Sequence, residues 1–226
     1  MFIGALVQGS VGFGLNLIAA PILALVDPTL VPGPALAAAF ILTILITRRE
    51  RASIDARGIR WAMVGRVPGT ILAAVAISAL PERGLAIFFA LLVLFAVVLS
   101  AVRWHPTPTT GTLVTAGALS GFMGTATSIG GPPIALVYQR EQGPIIRATL
   151  SGYFVLGSIL SMAVLAVIGE FGGEEIVATA ALIPGLLCGF LLSRQTTRML
   201  DRGYARPAIL IVSAGSAIAL LATELL

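Results

Sequence analysis

The sequence predicts an all-α polytopic membrane protein made of two inverted repeats, each a broken or re-entrant helical hairpin plus three transmembrane helices. Three observations lead there. The 226 residues are 58% hydrophobic and 11% charged, with a mean hydropathy of +1.02, whereas a soluble domain carries roughly a quarter charged residues. The apolar runs are continuous rather than alternating, which selects helices over a β-barrel in a solvent that offers the backbone no hydrogen-bond partners. Glycine-rich breaks, proline–glycine pairs and arginines also recur in the same order in both halves.

Apolar stretches fall at about 2–26, 30–47, 61–80, 84–102, 113–138, 147–169, 176–193 and 205–224. Most approach the roughly 20 residues that a bilayer span needs. The first contains GFGLN, with Gly12 and Gly14. The fifth contains TATSIGGPPIALV, with Gly130, Gly131, Pro132 and Pro133 in a row. Glycine and proline are the residues a helix interior tolerates worst, so both stretches are expected to break there. An offset of 116 lays GFGLN (12–16) over SIGGP (128–132) and Pro68-Gly69 over Pro184-Gly185. After a three-residue insertion, Arg83-Gly84 lies over Arg202-Gly203. The chain therefore divides into an N-terminal repeat, 1–103, a linker, 104–112, and a C-terminal repeat, 113–226. Duplication of this kind recurs in secondary transporters, whose binding site lies where the repeats meet.

The arginines decide how the repeats are oriented. All fourteen basic residues are Arg, which would be orientation signals in short loops rather than a nucleic-acid footprint. If all eight stretches cross the bilayer, the loop arginines divide almost evenly between its two sides. If 2–26 and 113–138 instead dip in and return, each half crosses three times and the halves are inverted. Arg48, Arg49, Arg51, Arg57, Arg60, Arg103, Arg140, Arg147, Arg194, Arg198, Arg202 and Arg206 then share one side, and Arg83 is alone on the other. This satisfies the positive-inside rule and puts Trp61 and Trp104 at the Arg-rich interface.

In that arrangement the two breaks are hairpin tips that meet in the interior. Non-helical backbone at membrane depth is tolerated only where protein buries it or water reaches it. A half-helix N-terminus carries unpaired N–H groups and partial positive charge, which favour an anion. Gly12, Gly14, Gly130 and Gly131 would shape the tips. Thr125, Thr127 and Ser128 would add hydroxyls, and Gln8 and Asn16 amides. Small residues at the same places would also serve close helix packing.

The chain resembles the sulfite exporter TauE/SafE family of membrane transporters. The resemblance rests on GALVQGSVGFGLN and GALSGFMGTATSIGGPP, on the RAT run from Arg147 to Thr149, and on VPGTILA and IPGLLCG. It covers essentially the whole chain. It implies a secondary transporter or facilitator that moves small sulfur-containing anions, sulfite or organosulfonates, across the cytoplasmic membrane as a multi-pass protein. The alternative is a channel-like or regulatory membrane subunit without alternating access.

Two arginines stand out. Arg66 lies about five residues inside a predicted span, where a charge costs several kcal/mol unless paired, hydrated or snorkelling. Either it grips two oxygens of an anionic substrate or it snorkels to the interface. Arg147 opens a span, as an anchor or as a gate on the anion path; Thr149, Ser151 and Tyr153 follow it. No Asp or Glu lies mid-span, so a buried carboxylate proton relay is not expected. His105 and Cys188 are single and far apart. No metal, cofactor or enzymatic chemistry is therefore expected, and Cys188 reads as a small packing residue. The first twenty-six residues have no basic n-region, so no cleavable signal peptide is expected. The expected partners are a small anion and the lipid bilayer, with small-residue faces compatible with a homodimer and no nucleic acid.

Overall fold

The computed structural model describes residues 1–101, 106–200 and isolated positions 214, 215, 218, 219 and 222. Among the described residues the chain is helical, with no strand. The helices are α1 (Phe2–Val11), α2 (Leu15–Val26), α3 (Gly33–Glu50), α4 (Ala56–Ala79), α5 (Glu82–Ala101), α6 (Thr110–Thr127), α7 (Gly131–Tyr138), α8 (Gly143–Val167) and α9 (Gly173–Leu200). Helices α3, α4, α5, α8 and α9 are long and apolar enough to cross a bilayer. Their outward faces carry exposed Leu72, Val75, Val98, Val177 and Leu191, an apolar belt that water would not tolerate on this scale. The protein is a multi-pass membrane protein. Apart from those isolated positions, the expected span at 205–224 lies outside the described residues, as do Trp104, His105 and the Arg202-Gly203 pair.

Both glycine-rich stretches are helix–break–helix units. Gly12 (φ 104°) ends α1, with its N–H donating to the Gln8 carbonyl, and Gly14 (φ 117°) precedes α2. Both sit in the left-handed region, which costs L-residues other than glycine about 1–2 kcal/mol. Leu15 N–H then donates to Gln8 Oε1 at 3.0 Å. A Cβ added at Gly4 would lie 2.6 Å from the Leu15 carbonyl. A continuous helix would separate those two residues by about 16 Å, so α2 doubles back along α1. In the second unit Ser128 ends α6 at φ 59°, and Ser120 Oγ donates to the Gly130 carbonyl at 2.6 Å, so α7 folds back along α6. Pro132 and Pro133 occupy the first turn of α7, where a missing N–H costs least.

The hairpins pack crosswise. Helix α4 runs along α6 and α9 along α1, while α3 lies against α8. Glycine permits the α4–α6 approach: a methyl at Gly65, Gly69 or Gly117 would overlap the facing backbone, as in close small-residue crossings in membranes. Gly189 meets Phe2, Ala5 and Leu6 in the same way at α9–α1. Several element boundaries differ from the sequence reading, three of them clearly. Helix α4 begins at Ala56, capped by Asp55, whose side chain accepts from Gly58 N–H; α8 begins at Gly143 and α9 runs to Leu200. Hydropathy ends a segment at its first polar residue, but Arg and Gln are good helix formers and continue the turn.

Candidate functional site

The two breaks face a partly open cavity of about 40 Å³. At the roughly 10–15 Å³ that one water requires, it has room for a few waters or one small oxyanion. It is far below the 300–1,000 Å³ of drug-sized sites. Of the residues singled out from sequence, Gln8, Gly14, Asn16, Arg66, Ser128, Gly130 and Gly131 line it. Gly12, Thr125, Thr127 and Arg147 do not.

Arg66 supplies the charge. It is the eleventh residue of α4 and only 2% exposed, so it does not snorkel to an interface. The sequence placed it shallower because Arg57 and Arg60 pushed the apparent start of the span to 61. Its guanidinium donates to Ser120 Oγ and to Ser161 Oγ, each at 3.3 Å, and lies 5.0 Å from the centroid of the Tyr153 ring. The Tyr153 hydroxyl donates to the Gly117 carbonyl at 3.4 Å. Gly157 faces the guanidinium so closely that a Cβ there would overlap it. Ser161 Oγ is in turn 2.8 Å from Thr125 Oγ1, which donates to Thr70 Oγ1 at 3.3 Å. Arg66 makes no ion pair with a described residue, and its Nε has no hydrogen-bond partner. The hydroxyl cage solvates the cation without neutralising it.

Helix ends add to this charge. The N-termini of α2 and α7 both open on the cavity through Gly14, Asn16, Gly130 and Gly131, and both point partial positive charge at it. Fewer N–H donors are available than the sequence suggested, because Pro132 and Pro133 remove two of the first three in α7. Asn16 is a crosslink between the units: its Nδ2 donates to the Ser128 carbonyl and to the Ala35 carbonyl, each at 3.1 Å.

The other residues singled out from sequence lie outside the cavity lining. Thr127 Oγ1 donates to the Met123 carbonyl and accepts from Ile129 N–H, closing the second break. Gly12 packs against the Arg147 backbone. Arg147 Nε meets Glu50 Oε1 at 3.2 Å, and Arg49 meets the same oxygen at 3.3 Å. The two guanidiniums also donate to the carbonyls of Ser10 and Gly9 at the end of α1, where cations suit the negative end of the helix dipole. Thr149 Oγ1 accepts from Asp55 N–H at the mouth of α4. Cys188 is exposed on α9 rather than packed, since the outer face of a membrane helix is as apolar as its inner face.

Sequence reading missed Phe13, Thr43, Phe154 and Ser158, which line the cavity, and Ser120 and Ser161, which hold Arg66. A signal existed in α8: Ser151, Ser158 and Ser161 recur at helical spacing on one face, and all are buried.

No curated protein and no solved structure matches the chain significantly. A family model does match, over residues 1–220, and by it the chain belongs to the sulfite exporter TauE/SafE family, a family of membrane transporters and not of enzymes.

Proposed function

We propose that this chain carries sulfite or a short organosulfonate across the cytoplasmic membrane, binding it in the cavity between the two breaks with Arg66 as the fixed countercharge. One observation carries the reading: a guanidinium that stays charged in proteins is buried at mid-helix with no carboxylate paired to it among the described residues. Leaving a buried charge uncompensated costs about 3–5 kcal/mol. Two helix N-termini aimed at the same point raise the local positive potential further, and a bound anion relieves both. Family membership supplies the anion class.

The halves, 1–103 and 113–226, are inverted repeats joined by 104–112. In support, the same offset of 116 relates the ends of α1 and α6, the starts of α2 and α7, and the left-handed residues Gly12 and Ser128. It also relates the approach of Gly69 to Ala118 to that of Gly185 to Phe2. Each hairpin thus packs on the proline-containing helix of the opposite half. The arginine distribution favours inversion over a parallel duplication. The two hairpins then enter from opposite leaflets and meet at the cavity.

Purified protein in liposomes tests the function. Saturable sulfite flux with counterflow is expected. Arg66→Gln should weaken apparent affinity at least about 30-fold, the equivalent of losing one partner of a buried charge pair, and Arg66→Lys should fall between the two. Near-normal affinity in both variants removes Arg66 from the site. Ohmic conductance would point to a channel, and no flux in either format to a regulatory subunit.

A further inference from the structure

The polar groups of the cavity are not all donors. Asn16 is 5% exposed. Its amide orientation is fixed, because Nδ2 faces two backbone carbonyls and can only donate to them. That leaves Oδ1 as the uncommitted end of a side chain whose residue lines the cavity. Oδ1 is buried and has no partner, although buried polar atoms are nearly always satisfied. Arg66 lines the same cavity, and its Nε is likewise unpartnered. The cavity thus presents a cation with spare donor capacity and a neutral acceptor. A fully deprotonated oxyanion satisfies the first and repels the second.

From this pairing we infer that the preferred ligand is a small monoanion carrying its own hydrogen-bond donor, which places its charge on Arg66 and donates to Asn16 Oδ1. A protonated oxyanion such as hydrogen sulfite fits, as does a short sulfonate with a hydroxyl or ammonium group. The inference rests on the transport reading above and selects within its anion class.

Two sulfonates of equal charge and equal heavy-atom count separate the terms. Hydroxymethanesulfonate has the donor and ethanesulfonate lacks it. Their affinities for the purified protein are compared at mildly acidic pH, with sulfite and sulfate titrated across the second ionisation of sulfite. Leaving a buried acceptor unpaired predicts hydroxymethanesulfonate to bind about 5- to 100-fold tighter. Apparent sulfite affinity should weaken about tenfold per pH unit above that ionisation, while sulfate stays weak and flat. In Asn16→Ala the sulfonate ratio should fall to about one. Should that variant not fold, or should neither sulfonate enter, the pH series on the unmodified protein decides. Equal, Arg66-dependent binding of the two sulfonates, or a flat sulfite profile, overturns the inference and leaves the transport reading standing. No binding of any of these anions overturns both.

Discussion

Gly157→Ala probes Arg66 without touching its charge. The site for a Cβ at Gly157 falls inside contact distance of the guanidinium carbon and Nε, so a methyl there forces the guanidinium off its seat on α8. Two charge-assisted hydrogen bonds, to Ser120 and Ser161, and the contact with Tyr153 are strained together. Bonds of this kind contribute about 1.5–3 kcal/mol each. At 3.3 Å these two belong at the lower end, giving about 3 kcal/mol in sum. At 1.4 kcal/mol per decade that is about a hundredfold in apparent affinity, matching what a displacement of about 1 Å costs a positioned group. The assay is sulfite flux into liposomes for the single variants and for Gly157→Ala with Arg66→Gln. Once the guanidinium is gone, the methyl has nothing to displace, so the double variant should be no worse than Arg66→Gln alone, a strong departure from additivity. Unchanged affinity in Gly157→Ala, or additive losses in the pair, would refute the idea that this glycine exists to seat the arginine.

Arg147→Gln should leave apparent sulfite affinity within about threefold while lowering thermal stability in detergent by roughly 1–3 kcal/mol, since Glu50 and the end of α1 lose a buried, charged hydrogen-bond donor; a loss of affinity like that of Arg66→Gln would place Arg147 in the site. Gly12→Ala should cost about 1–2 kcal/mol of stability from its left-handed backbone, more if the Arg147 backbone cannot yield, whereas Ser128→Gly, read by thermal midpoint, should be neutral or slightly stabilising. In a Cys188→Ala background, single cysteines at Thr107 and Gln139 should both label from the cytoplasmic side; labelling from opposite sides would mean that 113–138 crosses the bilayer and that the repeats are not inverted.

The breaks were legible because their chemistry is local. Two glycines at 12 and 14, or the run Gly130 to Pro133, stop a helix whatever surrounds them, and the offset of 116 could be read from spacing alone. The depth of Arg66 was misjudged for an equally local reason: hydropathy treats Arg57 and Arg60 as outside the span, while the helix that carries them starts at Ala56. Which hydroxyls meet Arg66 could not be read at all. Ser120 and Ser161 lie 41 positions apart on different helices, and serine in a membrane helix is equally at home packing against a neighbour. The partner of Arg147 was equally hidden. The position of Arg147 at the head of a span beside a glycine break suggests a ligand, but its partner, Glu50, comes from the end of α3, a pairing that only the α3–α8 packing reveals.

The choice of hydroxyls over a carboxylate around Arg66 has a functional consequence. An acidic partner at this depth would neutralise the arginine, satisfy its desolvation cost and compete with any anion for the same donors. The hydroxyls of Ser120 and Ser161 accept its hydrogen bonds, yet leave its net charge for the anion proposed above. Binding then discharges a cost already present in the empty site, which favours occupancy without many contacts and suits a cavity of about 40 Å³. For outward transport of the proposed anion, no acid-based proton relay is needed. In a cell that is negative inside, the potential favours outward movement of an anion by about 2.3 kcal/mol per charge per 100 mV. A monoanion would draw that assistance once, and a dianion twice while also facing the unpaired Asn16 oxygen. Under the proposed selection the cavity would give up half the electrical driving force in return for a ligand it can fully satisfy. Flux that scales with the membrane potential as a single charge, measured in liposomes clamped at two potentials, is the signature this arrangement requires.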